Sequence, residues 1–459
     1  MDELTEVRIE LARLEKQEQG LTEQLYNVRT TVRAQRTKLD ELIRRIHAPI
    51  DRLPNELLLR IFELSIHASV LAFPSCDVHS HRKLELAGVS RRWRDMVLGF
   101  PRLWTTIRVS PTWSESFVKA HVTRSCQSPL DIEIFTQDTV HTFRASVDIL
   151  VDCAQRWRSL IIHGRGSSFD VSELLKRIEH VVFPSLTHVS VQHVPSFLTD
   201  RFFRFYSELC PHLQHLDLGG HFIPSLDFSI PPSLTSFAIN CGRGDSPSSI
   251  LQHASLQKLT TLSLSGSCDG LKLHRNSLHL PLLKSFICKV SGAKMLIRAI
   301  VAPNLTNLTY HPWGRERGYG AESICSSFSA VRHVDLAADI MVSVFQPGNI
   351  PNPGYWLNLE SLTVHLTDEY SLGFLGGLIT WLEGRKGMRR PKLLIKFTFL
   401  DSFRHWSVIP TLYDAFHERC ILEWGNVRLP SHIVLSGNAD ESPWFVRAFC
   451  LVVPLAYQN

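Results

Sequence analysis

Pro211, His212, Leu213, Gln214, His215, Leu216, Asp217 and Leu218 spell a phrase that returns through most of this chain. An aliphatic residue, often preceded by a proline, is followed by two variable positions, an aliphatic, one variable position and another aliphatic. The instances are Trp157, Leu160, Ile162; Leu186, Val189, Val191; Leu213, Leu216, Leu218; Leu234, Phe237, Ile239; Leu259, Leu262, Leu264; Leu283, Phe286, Cys288; Leu305, Leu308, Tyr310; Val331, Val334, Leu336; and Leu359, Leu362, Val364. Consecutive starts lie 21 to 29 residues apart. Side chains alternate sides along a strand, so the last two apolar residues of each phrase share one face. A short strand recurring at this period is expected of stacked repeats.

Helical patterns fill the intervals: Val171 to Val182, Asp200 to Leu209, Ser248 to Leu256, Ala293 to Val301 and Leu372 to Trp381. The fold class expected for residues 105–459 is therefore α/β. The phrase resembles that of irregular leucine-rich repeats, although the regular asparagine ladder of the strict type is missing. The resemblance implies a curved solenoid whose parallel strands present an extended surface to another macromolecule. The variable positions that would face outward are rich in Thr and Ser, and His188, His215 and His333 recur among them as the candidate target-binding column. Leu393 to Phe399, Ile421 to Trp424 and Phe445 to Val453 read as strands that close the last repeat.

Ahead of the repeats, Leu53, Pro54, Asn55, Glu56, Leu57, Leu58, Leu59, Arg60, Ile61 and Phe62 open a helix. Proline suits a first helical turn and Glu56 its positive end. Leu57, Leu58, Ile61 and Phe62 make an apolar face wider than one packing partner needs, so a second face is left over. Phe73 to Lys83, rich in His and Ser, reads as a looped-out insert. Ser90 then caps a further helix with Trp93, Met96 and Val97 on one face and Arg91, Arg92, Arg94 and Asp95 outside. Phe100, Pro101, Leu103 and Trp104 would fold back as a clasp. This ordered combination, from Leu53 and Pro54 through Val89 and Trp93 to Trp104, resembles an F-box. The resemblance implies that Leu53, Pro54, Leu57, Leu58, Ile61, Phe62, Val89 and Trp93 bind a Skp-family adaptor, joining the chain to a cullin complex.

The first 47 residues carry Leu4, Val7, Leu11, Leu14, Glu18, Leu21, Leu25, Val28, Val32, Gln35, Leu39, Leu42 and Ile46 at alternating spacings of three and four. That is a coiled-coil seam. Acidic residues dominate before Glu23 and basic residues after it. In an antiparallel pair centred between Leu25 and Val28, Glu18 meets Gln35 of the second copy, Glu10 lies beside Arg45 and Glu15 beside Arg36. The charges thus favour an antiparallel homodimer over a parallel one. A different partner, a hairpin near Tyr26 and Asn27, or docking along the chain's own repeats also satisfies the seam.

The formal charge of +5 and pI near 8.7 are modest for 52.2 kDa. Lys and Arg are dispersed, which gives no nucleic-acid footprint. Ten cysteines show no metal or redox spacing and read as scattered buried thiols. His79 with His81 and His212 with His215 lack further ligands at metal spacing, so neither metal nor cofactor is expected. The tripeptide Arg243, Gly244, Asp245 and the sequons at Asn304 and Asn307 need an extracellular route, whereas the acidic N-terminus suggests an intracellular protein. The apolar tracts Leu372 to Leu382 and Trp444 to Leu455 are too short to span a bilayer. No phosphate loop, nucleophile elbow or zincin helix is present, so a non-catalytic role is expected.

These readings give residues 1–47 as a coiled coil, 49–104 as an F-box and 105–459 as a repeat domain. The expected function is substrate recognition in an SCF-type ubiquitin ligase, acting on an unknown protein target. The competing expectation is a scaffold that works without a ligase. For the seam, oxidation of a mixture of Leu25→Cys and Val28→Cys chains should yield mostly mixed disulfide dimers, detected by mass spectrometry. Preferential self-linking of each variant would mean a parallel pair.

Overall fold

A computed structural model describes residues 3–45, 50, 53–72, 76–110, 113–136, 143–164, 177–192, 208–222, 231–241, 254–268, 272–312, 321–345, 356–366, 374–387, 392–399, 416–417 and 419–425. The chain divides into two compact units, Met1–Gly99 and Phe100–Asn459. Several of the sequence features above fall wholly or partly outside the described residues: 73–75, 171–176, most of 200–209, the tripeptide at 243–245, 248–253, and the expected strand at 445–453 with the apolar tract that contains it.

The first unit begins with α1 (Glu3–Arg45), one unbroken helix of 43 residues. At 1.5 Å per residue it is roughly 65 Å long. No proline interrupts it, and the hairpin near Tyr26 and Asn27 does not form. Leu11, Leu14, Leu21, Leu25, Val28, Val32, Leu39 and Leu42 are all exposed.

Three shorter helices follow: α2 (Asn55–Ala72), α3 (Cys76–Val89) and α4 (Arg91–Gly99). The insert expected to loop out is instead helical from Cys76. No proline lies between Cys76 and Val89, and Lys83, Leu86 and Ala87 bury a common face at i, i+3 and i+4. Ser90 caps α4 as expected, its hydroxyl accepting the Trp93 N–H at 3.2 Å.

The second unit is built on a 13-stranded sheet whose paired strands are all parallel and stand in sequence order. Its strands are β1 (Thr106–Val109), β2 (Leu130–Thr136), β3 (Trp157–Gly164), β4 (His188–Gln192), β5 (His215–Phe222), β6 (Ser236–Cys241), β7 (Thr261–Ser267), β9 (Ser285–Ser291), β11 (Asn307–Tyr310), β12 (His333–Leu336), β13 (Ser361–Leu366), β14 (Leu394–Phe399) and β15 (Ile421–Gly425). β8 (Leu278–His279) and β10 (Ile300–Val301) pair separately. The sheet thus starts two strands before the first recognised phrase, and its expected closing strands β14 and β15 simply continue it.

Register follows the phrase. Ile107, Ile132, Leu160, Val189, Leu216, Phe237, Leu262, Phe286, Leu308, Val334, Leu362, Ile395 and Leu422 are successive partners across all thirteen strands, and all are buried. A parallel strand shifted by one residue would turn this row to the open face, so burial holds the register.

A repeated hydrogen-bond pattern ties the strand entrances together. The carbonyls of Thr187, Gln214, Thr235, Thr260, Lys284, Thr306 and Arg332 each accept two consecutive N–H groups from the next strand. The hydroxyls of Thr187, Thr235, Thr260 and Thr306 donate to the preceding carbonyls of Arg158, Gln214, Thr235 and Lys284 at 3.0 to 3.1 Å. These threonines, read from sequence as outward-facing, tie one strand to the last.

Helices lie between the strands, among them Glu115–Arg124, Phe143–Val151, Ala293–Ala299 and Leu375–Gly387. Leu103 and Trp104 belong to this unit, where the Trp104 ring packs against His121 at 4.8 Å and under the Arg124 guanidinium at 4.5 Å. Gly377 lets the last helix approach the chain closely, since a Cβ there would meet the Phe345 carbonyl oxygen at 2.0 Å. Cys210, Cys241, Cys268, Cys288, Cys325 and Cys420 are buried free thiols. Burial pushes the pKa of Cys210, Cys288 and Cys420 up to about 12.

Leu262, fully buried at the middle of the row, should cost about 2–5 kcal/mol on replacement by Ala. Ser263→Ala, one residue along on the open face, should change stability by less than about 0.5 kcal/mol. Urea unfolding of the two variants checks the inside and outside of the sheet.

Candidate functional site

In the helical unit the two sides of α2 differ. Leu58, Phe62 and Ile66, at i, i+4 and i+8, are buried. Phe62 packs at a tilt against Trp93 of α4 with ring centroids 4.7 Å apart. On the other side Leu57, Ile61 and Leu64 are 53 %, 43 % and 56 % exposed. Their spacing of four and three makes one continuous apolar stripe. The start of the helix is fixed by Arg92, whose guanidinium donates to the Leu53 carbonyl at 2.7 Å and to Asn55 Oδ1 at 2.8 Å. Arg92 was expected to be merely solvated.

The expected adaptor-binding residues therefore separate. Leu58 and Phe62 lie inside the helical unit and Trp93 is half-buried against them, while Pro54, Leu57, Ile61 and Val89 are exposed and Leu53 is intermediate. Leu84 on α3 joins the exposed apolar residues.

On the open face of the sheet, His188 and His215 are register partners on β4 and β5, with ring centroids 5.6 Å apart. Burial, and then the neighbouring His215 charge, push the His188 pKa below its ordinary value against the pull of Asp217 and Asp131. Ser190 donates to Asp217 Oδ2 at 3.1 Å beside them. His333 occupies the same row on β12, five strands from β5. At about 4.8 Å per strand that is roughly 24 Å. The column expected from sequence is a true row, but its third member stands apart, with Nδ1 2.8 Å from Ser361 Oγ.

A tighter constellation lies just past the end of β11 and on β12 and β13. His311 Nε2 and His365 Nε2 approach the same Asp335 oxygen, Oδ1, at 2.9 and 2.6 Å. The imidazole rings meet edge to face with centroids 4.7 Å apart. Burial alone would raise the Asp335 pKa, but the hydrogen bonds and charges of the two histidines outweigh it and hold the carboxyl well below the usual range. An ionised carboxylate only accepts, so both Nε2 atoms donate. His365 Nδ1 then accepts from the Thr398 hydroxyl at 2.6 Å.

The spacing of these residues, 24 and 30 positions apart, hid them from a search for local ligand motifs. The usable signal was the repeat itself: His311 and His365 each follow the last apolar residue of a phrase, and Asp335 is the single variable position of the phrase between them. The sheet is flanked by charge pairs, Arg108 with Glu133 at 2.8 Å at one end and Lys396 with Glu423 at 2.9 Å at the other.

No protein-family model matches the chain, and no curated protein is detectably similar to it. Among the described residues no helix is long and apolar enough to cross a membrane.

Because Asp335 has its carboxyl depressed in the folded state, the stability it contributes is present above the ordinary carboxylate pKa of about 3.9 and is lost as pH falls toward the folded value. Asp335→Asn should therefore lower stability at neutral pH, and the difference from wild type should shrink with acidification below about pH 4. Denaturant midpoints measured between neutral and acid pH check this.

Proposed function

We propose that this chain is the substrate-recognition subunit of an SCF-type ubiquitin ligase. Its F-box-like helices bind a Skp-family adaptor within a cullin complex, and its repeats hold a protein target. The observation that carries the reading is the second apolar side of α2. Leu57, Ile61 and Leu64 are exposed on a helix whose opposite side is already filled, and an apolar stripe of that kind marks a docking surface. Leu53, Pro54 and Val89 extend the proposed contact. Leu58, Phe62 and Trp93 support it from beneath.

The second unit is read as a leucine-rich-repeat-like solenoid. Thirteen parallel strands in sequence order, each repeating the register of the last, support that reading. Its open face, hydroxyl-rich with islands of histidine, is the proposed target surface. The exposed seam of α1 supports pairing with a second helix, and its charge asymmetry supports an antiparallel homodimer. The chain does no bond chemistry in this role. It raises the effective concentration of a target beside the ubiquitin carrier.

A Leu57→Asp, Ile61→Asp double variant should bind a Skp-family adaptor on the order of 100-fold more weakly than wild type, with circular dichroism unchanged. Co-purification and calorimetric titration measure this. A folded wild-type chain that binds no adaptor would overturn the ligase reading in favour of a ligase-independent scaffold.

A further inference from the structure

Apart from the helical stripe, the densest arrangement of ligating groups among the described residues is His311, Asp335 and His365, whose ligand atoms all lie within 4.8 Å of one another. We propose that these three residues form a divalent transition-metal site that takes Zn²⁺. The inference does not depend on the ligase reading.

Two imidazole nitrogens and one carboxylate oxygen are ligand types that zinc accepts, and three protein ligands are the number that leaves a coordination position open. The backbone beneath them is held in place: Asp335 and His365 sit on β12 and β13, and His311 directly follows β11 with its N–H bonded to the Cys288 carbonyl at 2.9 Å. Asp335 pairs with Thr309 on one side and Thr363 on the other. By continuation of the register, the position level with His311 and His365 is Ala337, a small residue just past the end of β12 that caps the following helix. The two rings therefore converge over the Asp335 carboxylate from both sides.

In the metal-free form the two Nε2 protons occupy the place of the cation, both directed at Oδ1. Each neutral ring carries one N–H proton, so Zn²⁺ binding at Nε2 requires that proton to pass, through solvent, to Nδ1 of the same ring, which leaves the Nε2 lone pair for the metal with no net proton released. For His365 that change has a prepared partner. Thr398 Oγ1, which donates to Nδ1 without metal, can accept from Nδ1–H with metal and turn its own hydrogen toward the Val364 carbonyl at 3.4 Å. A ligating histidine usually has its second nitrogen fixed in this way. The side chains are only partly exposed, 24 % for His311, 31 % for Asp335 and 22 % for His365, so solvent competes weakly while one side stays open. That side is the open face of the sheet, where the free position can take water or a side chain of a bound macromolecule.

The test uses the tag-free, full-length chain titrated with Co²⁺, then with Zn²⁺ to displace it. Wild type should take up a single equivalent with visible ligand-field bands and no near-ultraviolet thiolate charge-transfer band. His311→Ala, His365→Ala and Asp335→Asn should each weaken uptake at least about tenfold, and Thr398→Val by about tenfold through the outer partner. A His188→Ala, His215→Ala variant should bind as wild type does. Asp335→Asn conserves shape, which keeps the test interpretable if a histidine variant misfolds. Absence of uptake, a thiolate band, or unchanged affinity in folded Asp335→Asn would overturn the site and leave the three residues as a hydrogen-bonded strut.

Discussion

A parallel strand that repeats its neighbour's hydrogen-bond register must also repeat its neighbour's inward residue, and in the second unit this constraint runs unbroken from Ile107 to Leu422. Everything on the opposite face inherits the same alignment. His188 meets His215 because Val189 meets Leu216. His311, Asp335 and His365 converge because Leu308, Val334 and Leu362 are stacked beneath them. The chemistry of the open face is thus positioned by apolar residues on the other side of the sheet. A cavity made in the row disturbs groups that its own side chain never touches.

The strand entrances contribute a second, polar constraint. At seven strand entrances one backbone carbonyl is met by two N–H groups of the following strand, and at three of these, Gln214, Thr235 and Lys284, a threonine hydroxyl is added. The main chain carries most of this constraint, which explains how repeats of unequal length still pair in parallel.

Sequence periodicity carried the architecture well where it rested on the phrase. All nine phrases lie on neighbouring strands, and α1 and the Ser90 cap appear where their patterns put them. It failed where the local signal was weak. Thr106 to Val109 and Leu130 to Thr136 lack the full phrase yet join the sheet, and the segment from Cys76 is helical although its composition resembles a loop. Site residues were harder still. Residues 24 and 30 positions apart become neighbours only once register is known, so the cluster about Asp335 was invisible to local spacing rules, whereas the exposed stripe on α2 followed directly from an apolar face too wide for one partner. Leu58 and Phe62 belong to the side that packs inward, a division the helical period could not assign without knowing where α3 and α4 lie.

Register on the open face is the claim on which the rest stands, and a cysteine pair tests it most directly. Ser263→Cys with Ile287→Cys joins residues that are register partners on β7 and β9, whereas Ser263→Cys with Ser285→Cys joins residues two positions out of step. Partner Cα atoms one strand apart fall within the reach of a disulfide, and the offset pair lies near or beyond its limit. Under mild oxidation, peptide mapping should find the intrachain disulfide in the first variant and little in the second. Preferential closure of the offset pair would mean a different register between β7 and β9 and would break the row that runs from Ile107 to Leu422.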